Sequence, residues 1–302
     1  MGAQYLGIDV GGTNVKMGVV EAETGHISHF YSHDTASWRN SGHFVERLGD
    51  AIAVQLAEHK NIEKIGIGVP GLISRDRNTL VEITAIPEID GIHIIPELSS
   101  RFENHTFFLE NDANAAALGE YYFGEGDVPE DYIFVTLGTG VGGAAIIDKQ
   151  VFKGGGGNAM EPGHMPSRNG RVLERNIGKN ELLDLANQMR AAFSGETSLP
   201  ADGTISTTGL VAAAAEGDVL ALQIFDEVGT MLGDGLVSMI RILDITTILV
   251  GGGLSASFDY IIPAVNRQLN YWLTPYYIKT LTIKKATLGN DAGLLGAASL
   301  CF

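Results

Sequence analysis

Two glycine turns, one in each half of the chain, restrict the fold more than any other feature. Residues 5–20 read YLGIDVGGTNVKMGVV and residues 132–147 read YIFVTLGTGVGGAAII. Each is a β-rich apolar run, a Gly/Thr turn and a second apolar run, the pattern of a β-hairpin. Gly11 and Gly138 stand 127 positions apart, and Tyr5 and Tyr132 keep the same offset. Two such hairpins point to two related halves. A tight turn without bulky side chains brings backbone N–H groups up to a phosphate. One turn per half could then grip one nucleotide from both sides of a cleft.

The remaining pattern alternates strands and helices. Apolar runs predict strands at 4–10, 15–21, 27–33, 64–73, 105–112, 246–255 and 280–288, beside the 132–147 hairpin. Helical spacing predicts helices at 41–59 with Ser41 as N-cap, 113–123, 179–194, 208–242, 257–273 and 292–300. The long 208–242 stretch is expected to break near Gly229–Gly235. Residues 154–170, rich in Gly, Asn and Pro, read as a loop, and 151–158 (VFKGGGGN) as a mobile connection. The class is therefore α/β with mixed sheets.

With 302 residues the chain has room for two domains. A net charge of −16 disfavours nucleic acid and anionic membrane as partners. The single cysteine, Cys301, excludes a disulfide framework and a cysteine metal site. No signal peptide is read at the N-terminus and no apolar run reaches the ~18 residues of a membrane span; a cytoplasmic protein is expected.

Chemistry gathers at five places. Asp9 ends the first strand, where a carboxylate beside a phosphate turn suits Mg²⁺, directly or through water. Gly11, Gly12, Thr13 and Asn14 form that turn, and Lys16 follows. A simple hairpin turn with a solvated Asp is the plainer alternative. Gly138, Thr139 and Gly140 open the second turn; a strand, not a helix, follows it, which argues against a Rossmann fingerprint. Gly251, Gly252 and Gly253 lie between a buried strand and a helix, where bare backbone suits a flat ligand such as adenine or simply a close turn.

Asn111 and Asp112 lie where a strand passes into a helix. A carboxylate there either accepts a proton from a substrate hydroxyl or caps the helix. Glu161 and His164 share the glycine-rich loop, a pair suited to a polyhydroxylated ligand, and Glu174 precedes a helical stretch. His26, His29 and His33 have helical metal spacing but fall in strand and turn, so no metal is expected on them.

These segments, in this order, resemble the ROK family of sugar kinases over nearly the whole chain. The carriers are Asp9–Asn14, Asn111–Glu120, Leu137–Gly143, Glu161-x-Gly163-His164 and Gly251–Gly253. The resemblance implies an actin-like, hexokinase-like ATPase fold: two RNase H-like domains closing on ATP-Mg²⁺ and a hexose or N-acetylhexosamine. It implies that Asp112 is the catalytic base acting on the sugar, at the 6-OH. Asn111, Glu161, His164 and Glu174 would bind sugar hydroxyls, with Gly71 lining the sugar side. Two turns would hold phosphates and Gly252 and Gly253 the adenosine; that third turn favours ATP over polyphosphate as donor. The family's cysteine zinc segment is replaced by Ser167–Glu174, so no zinc is expected there. Pro87–Ile92 stands where a Pro-Asn-x-x-x-Trp stretch is usual. The expected domains are 1–112 plus 290–302 and 113–289, in a homodimer. A non-catalytic sugar or nucleotide sensor and a superfamily ATPase without a sugar are the competing readings.

Overall fold

The computed structural model describes residues 2–302. In chain order its strands and helices begin β1 Gln4–Val10, β2 Asn14–Glu21, β3 Ile27–Asp34, α1 Thr35–Asn40, α2 Phe44–Glu58, β4 Lys64–Val69, β5 Leu72–Ile73, β6 Leu80–Glu82, α3 Ile94–Arg101, β7 Thr106–Asn111 and α4 Asp112–Phe123. They continue β8 Tyr132–Leu137, β9 Val141–Ile147, β10 Gln150–Val151, α5 Glu174–Ile177, α6 Lys179–Ala192, α7 Thr207–Ala215, α8 Val219–Leu243, β11 Thr247–Gly251, α9 Phe258–Trp272, α10 Pro275–Ile278, β12 Thr282–Lys285 and α11 Ala292–Ser299.

The first sheet has the order β3-β2-β1-β4-β7. β1, β2 and β3 are antiparallel neighbours, while β1, β4 and β7 run parallel. Side-chain alternation gives its two faces different characters. Leu6, Ile8, Met17, Val19, Ile65 and Ile67 belong to an apolar core with Phe44, Leu48, Ile52, Ile94 and Leu98 of the helices α2 and α3. The alternate positions Gly7 and Gly66 let α11 lie on the backbone itself: a Cβ at either would overlap the carbonyl of Leu294 or Ala297. This close approach needs residues without side chains, which is why the last helix selects glycine in two early strands.

The second sheet, β10-β9-β8-β11-β12, is mixed as well, with β8, β11 and β12 parallel. α8 packs on α9, where Gly229 faces the carbonyl of Ile261 and Gly233 the side chain of Gln268. The expected break near Gly229–Gly235 falls elsewhere. α7 and α8 meet at 114° across the turn that holds Gly217, whose φ is +80°. Among the described residues no single helix is long and apolar enough to cross a membrane.

The expected helix over 41–59 is shorter at its start, and Ser41 is not its N-cap. α2 starts at Phe44 after His43, and Ser41 closes α1 instead, its hydroxyl donating to the Trp38 carbonyl at 2.6 Å. The chain forms two compact units, Met1–Glu130 with Ala144–Ala159 and Asn290–Phe302, and Asp131–Gly143 with Met160–Gly289. α4 thus belongs with the first unit, and the reason is packing: Gly119 and Gly296 let α4 and α11 touch backbone to backbone.

Candidate active site

In the first unit the register aligns Asp9 with Gly68 and Gly68 with Glu110 across three parallel strands. The carboxyl ends of β1, β4 and β7 therefore share one sheet edge, where ligands of α/β sheets gather. The turn Gly11–Thr13 leaves that edge from β1. Gly11 donates its N–H within the turn to the Asn14 carbonyl at 2.9 Å, and the buried Thr35 hydroxyl donates to the Gly11 carbonyl at 2.7 Å. Gly12 and Thr13 remain exposed, and their amides are what the turn presents to an anion.

Asp9 is mostly buried beside this turn. Burial pushes its carboxyl above the usual range, against the pull of Lys16. Lys16 Nζ lies 3.7 Å from Asp9 Oδ2 and donates to the Asn290 carbonyl at 2.9 Å. The close backbone of Gly293 confines the carboxylate from the other side. A mostly buried carboxylate beside such a turn, its pairing with Lys16 as long as 3.7 Å, fits Mg²⁺, which takes one or two carboxylates and completes its shell with phosphate and water.

At the β7–α4 junction the division of labour is between Asn111 and Asp112. Asn111 is the N-cap: its Oδ1 accepts from the Ala113 and Asn114 amides at 2.9 and 3.2 Å. Its Nδ2 donates to the Gly71 carbonyl at 3.1 Å, joining two of the expected sugar-side residues. Gly71 has φ +88° and lies against the Glu82 carbonyl, a position only glycine fills without strain. Asp112 is the first helical residue, half-buried, with Oδ1 accepting from the Ala113 amide at 2.8 Å.

Behind this junction stands Glu110, which the sequence reading passed over. It is 1% exposed. Arg77 approaches it twice, Nε to Oε2 and Nη2 to Oε1, both at 3.1 Å, and Lys153 Nζ is 3.1 Å from Oε2. Oε1 also accepts from the Asn111 amide at 3.0 Å and from Asn114 Nδ2 at 3.1 Å. The stretch 151–158 is accordingly anchored rather than a mobile connection. Arg77 Nη2 donates to the Gly157 carbonyl at 2.6 Å, and Asn158 pairs with both backbone groups of Ile73 at 3.1 and 2.9 Å. The available signal was a lone charge inside the apolar run HTFFLEN.

In the second unit Gly251 pairs with Thr136, so the turns after β8 and β11 lie at one sheet edge. Gly138 N–H donates to the Gly140 carbonyl at 2.9 Å, and Lys179 N–H to the Gly138 carbonyl at 3.0 Å. Gly252 has φ +87° against Leu137, while Gly253 is open. Glu174 Oε2 accepts from the Val141 amide at 3.1 Å and fills the space over Gly140. Glu161, His164 and Glu174 come together here. Burial pushes the Glu161 carboxyl up, His164 opposes the rise and Glu174 adds to it.

The segment standing in for the cysteines closes on itself. Leu173 N–H donates to Met165 at 2.9 Å and Ser167 N–H to Arg171 at 2.8 Å. Arg168 pairs with Asp234 of α8 at 2.8 Å, and Asn176 Nδ2 donates to the Arg168 carbonyl at 2.9 Å. The His164 loop is thereby held by a hairpin and one ion pair, with Cys301 buried in the other unit.

The ROK family model matches residues 5–302. A glucokinase of Streptomyces coelicolor is 31% identical over 98% of this chain and 96% of its own. A Cytophaga hutchinsonii protein provisionally assigned as a sugar kinase superposes with a TM-score of 0.94 at 41% identity, over 99% of each chain. A ROK glucokinase of Streptomyces griseus, solved with glucose and AMPPNP, gives 0.77 at 30% identity, again over 99% of each.

Proposed function

This chain belongs to the ROK family, and from that premise we propose that it is a kinase moving the γ-phosphoryl group of ATP to the 6-OH of a hexose or N-acetylhexosamine. The observation that carries the proposal is the shared sheet edge of Asp9, the Gly11–Thr13 turn, Asn111 and Asp112. Glucose and a nucleotide analogue in the S. griseus relative support the substrate class.

Asp112 takes the proton of the sugar hydroxyl as that oxygen bonds to the γ-phosphorus. The bond from phosphorus to the β–γ bridging oxygen breaks, and ADP leaves with its electron pair. Phosphoryl transfer depends mainly on positioning and charge stabilisation. Asn111 fixes the start of α4 and hence Asp112, while Glu161, His164 and Glu174 accept or donate hydrogen bonds to sugar hydroxyls. The amides of Gly12, Thr13, Thr139 and Gly140, with Lys16, oppose phosphate charge, and Gly252 and Gly253 leave room for the adenosine. Asp9 would hold Mg²⁺, which neutralises charge on the phosphates when bound. The acidic chain is assigned to the cytoplasm as a homodimer, with neither nucleic acid nor membrane as partner.

The test is ADP release with ATP-Mg²⁺ over a panel of hexoses and N-acetylhexosamines, each against a no-sugar blank. The rate is expected to rise strongly with one sugar. Asp112→Asn should lower kcat by about 10²–10⁴ with sugar binding nearly unchanged. A rate indifferent to every sugar, or an Asp112→Asn enzyme with wild-type kcat, would overturn the assignment.

A further inference from the structure

Three metal-ligating side chains meet in the first unit on elements that the kinase site does not use. His29 stands on β3, the edge strand of the first sheet; Glu58 and His59 end α2. One ligand atom from each lies within 4.8 Å of the other two. The imidazoles of His29 and His59 meet edge to face with centroids 4.0 Å apart.

The local backbone brings His29 there. β2 and β3 pair Met17 with Tyr31 and then Val19 with Ser28, so the register shifts and His29 and Phe30 are left out of the ladder. His29 has φ +48° at this bulge. A bulge re-aims a side chain and bends an edge strand.

Among the described residues, two polar atoms next to the group are buried and without partners. One is His59 Nε2; the other is Oε1 of Gln55, one turn earlier on α2. Gln55 is itself 2% exposed, and its Nε2 donates to the His29 carbonyl at 3.3 Å. A buried imidazole nitrogen without a hydrogen bond is costly, and its lone pair is what a metal ion accepts. The other histidines nearby are engaged: His33 packs on Trp38 at 4.9 Å, and His43 pairs with Glu46 at 3.0 Å.

We propose that His29, Glu58 and His59 bind one divalent transition-metal ion of the zinc class, with a fourth position open to water. Two imidazoles and a carboxylate are donors for zinc and cobalt; Mg²⁺ and Ca²⁺ prefer oxygen alone. Tetrahedral bonds of ~2.0–2.1 Å set ligands roughly 3.4 Å apart, so the ion would draw the exposed His29 and Glu58 side chains inward from a spacing already within 4.8 Å. The ion ties the edge strand β3 to the end of α2 and covers a strand edge open to mispairing. The site is separate from the cysteine segment of the family and from Asp9.

The test uses the full chain after chelation and dialysis, titrated with ZnCl₂ by calorimetry and with CoCl₂ by visible absorption. One equivalent of zinc should bind, cobalt should give the intense band of a four-coordinate site, and zinc should raise the Tm. His29→Ala and His59→Ala should each weaken zinc by at least about 10-fold and abolish the cobalt band and the Tm rise, whereas His33→Ala should behave as wild type. No zinc binding by the wild-type chain, or binding that both variants retain, would overturn the site. Circular dichroism of each variant before titration separates loss of the ligand from loss of the fold.

Discussion

At the residue scale, the candidate site is written largely in short contiguous segments. The glycine turns and Asn111-Asp112 depend on neighbours in sequence, and the structure places them at one sheet edge per unit. Glu110 was not legible, because its partners Arg77 and Lys153 lie far along the chain and pairing is not encoded locally. Removing one member of a buried ion pair leaves the other charged and desolvated. Glu110→Ala is therefore expected to destabilise the protein by about 3 kcal/mol, read from urea unfolding, and to lower kcat because Asn111 loses its amide partner. An unfolding midpoint unchanged from wild type would mean that Lys153 and Arg77 find water instead.

At the element scale, periodicity located the long strands and the long helices, passed over the short β6, β10, α1, α3 and α10, which hold too few residues to show a period, and misplaced a break where glycine has two uses. Gly229 and Gly233 serve helix–helix contact, while Gly217 ends a helix; only the positive φ separates the cases. The cap of α8 follows from the same turn. Asp218 accepts from the Ala221 amide at 3.1 Å, from the Ser198 amide at 2.6 Å and from the Thr197 hydroxyl at 2.8 Å. Burial raises its carboxyl, but these bonds outweigh it and hold the group at about 2, below its ordinary 3.8. A depressed carboxyl stabilises the fold above its unfolded value and loses that contribution as pH falls toward the folded one. Asp218→Ala should cost about 1 kcal/mol at neutral pH. The deficit should shrink between pH 3.8 and about 2. Urea titrations of variant and wild type at both ends of that range check it; a deficit independent of pH would count against the cap.

At the scale of the whole molecule, the repeat of two hairpins correctly announced two α/β halves, but an element boundary was a poor guide to the edge of a compact unit. The strand-to-helix junction at Asn111-Asp112 is continuous in packing, because α4 is clamped to α11 through Gly119 and Gly296. No local pattern announces that clamp. Leu294, Ala297 and Ala298 of α11 are fully buried. A chain ending at Gly289 should thus lose the first unit: hydrogen exchange over residues 4–111 should rise to unprotected rates. Retained protection there would show that the sheet closes without its last helix.

That clamp sets a schedule for biosynthesis. The five strands of the first sheet have all been made once Asn111 is added, yet the helix that covers one face begins about 180 residues later. At ~5–20 residues per second, the nascent sheet waits roughly ten to thirty-five seconds for its cover. During that interval the face built around Gly7 and Gly66 is open to solvent, and a chaperone that shields it acts on a face the finished protein no longer displays.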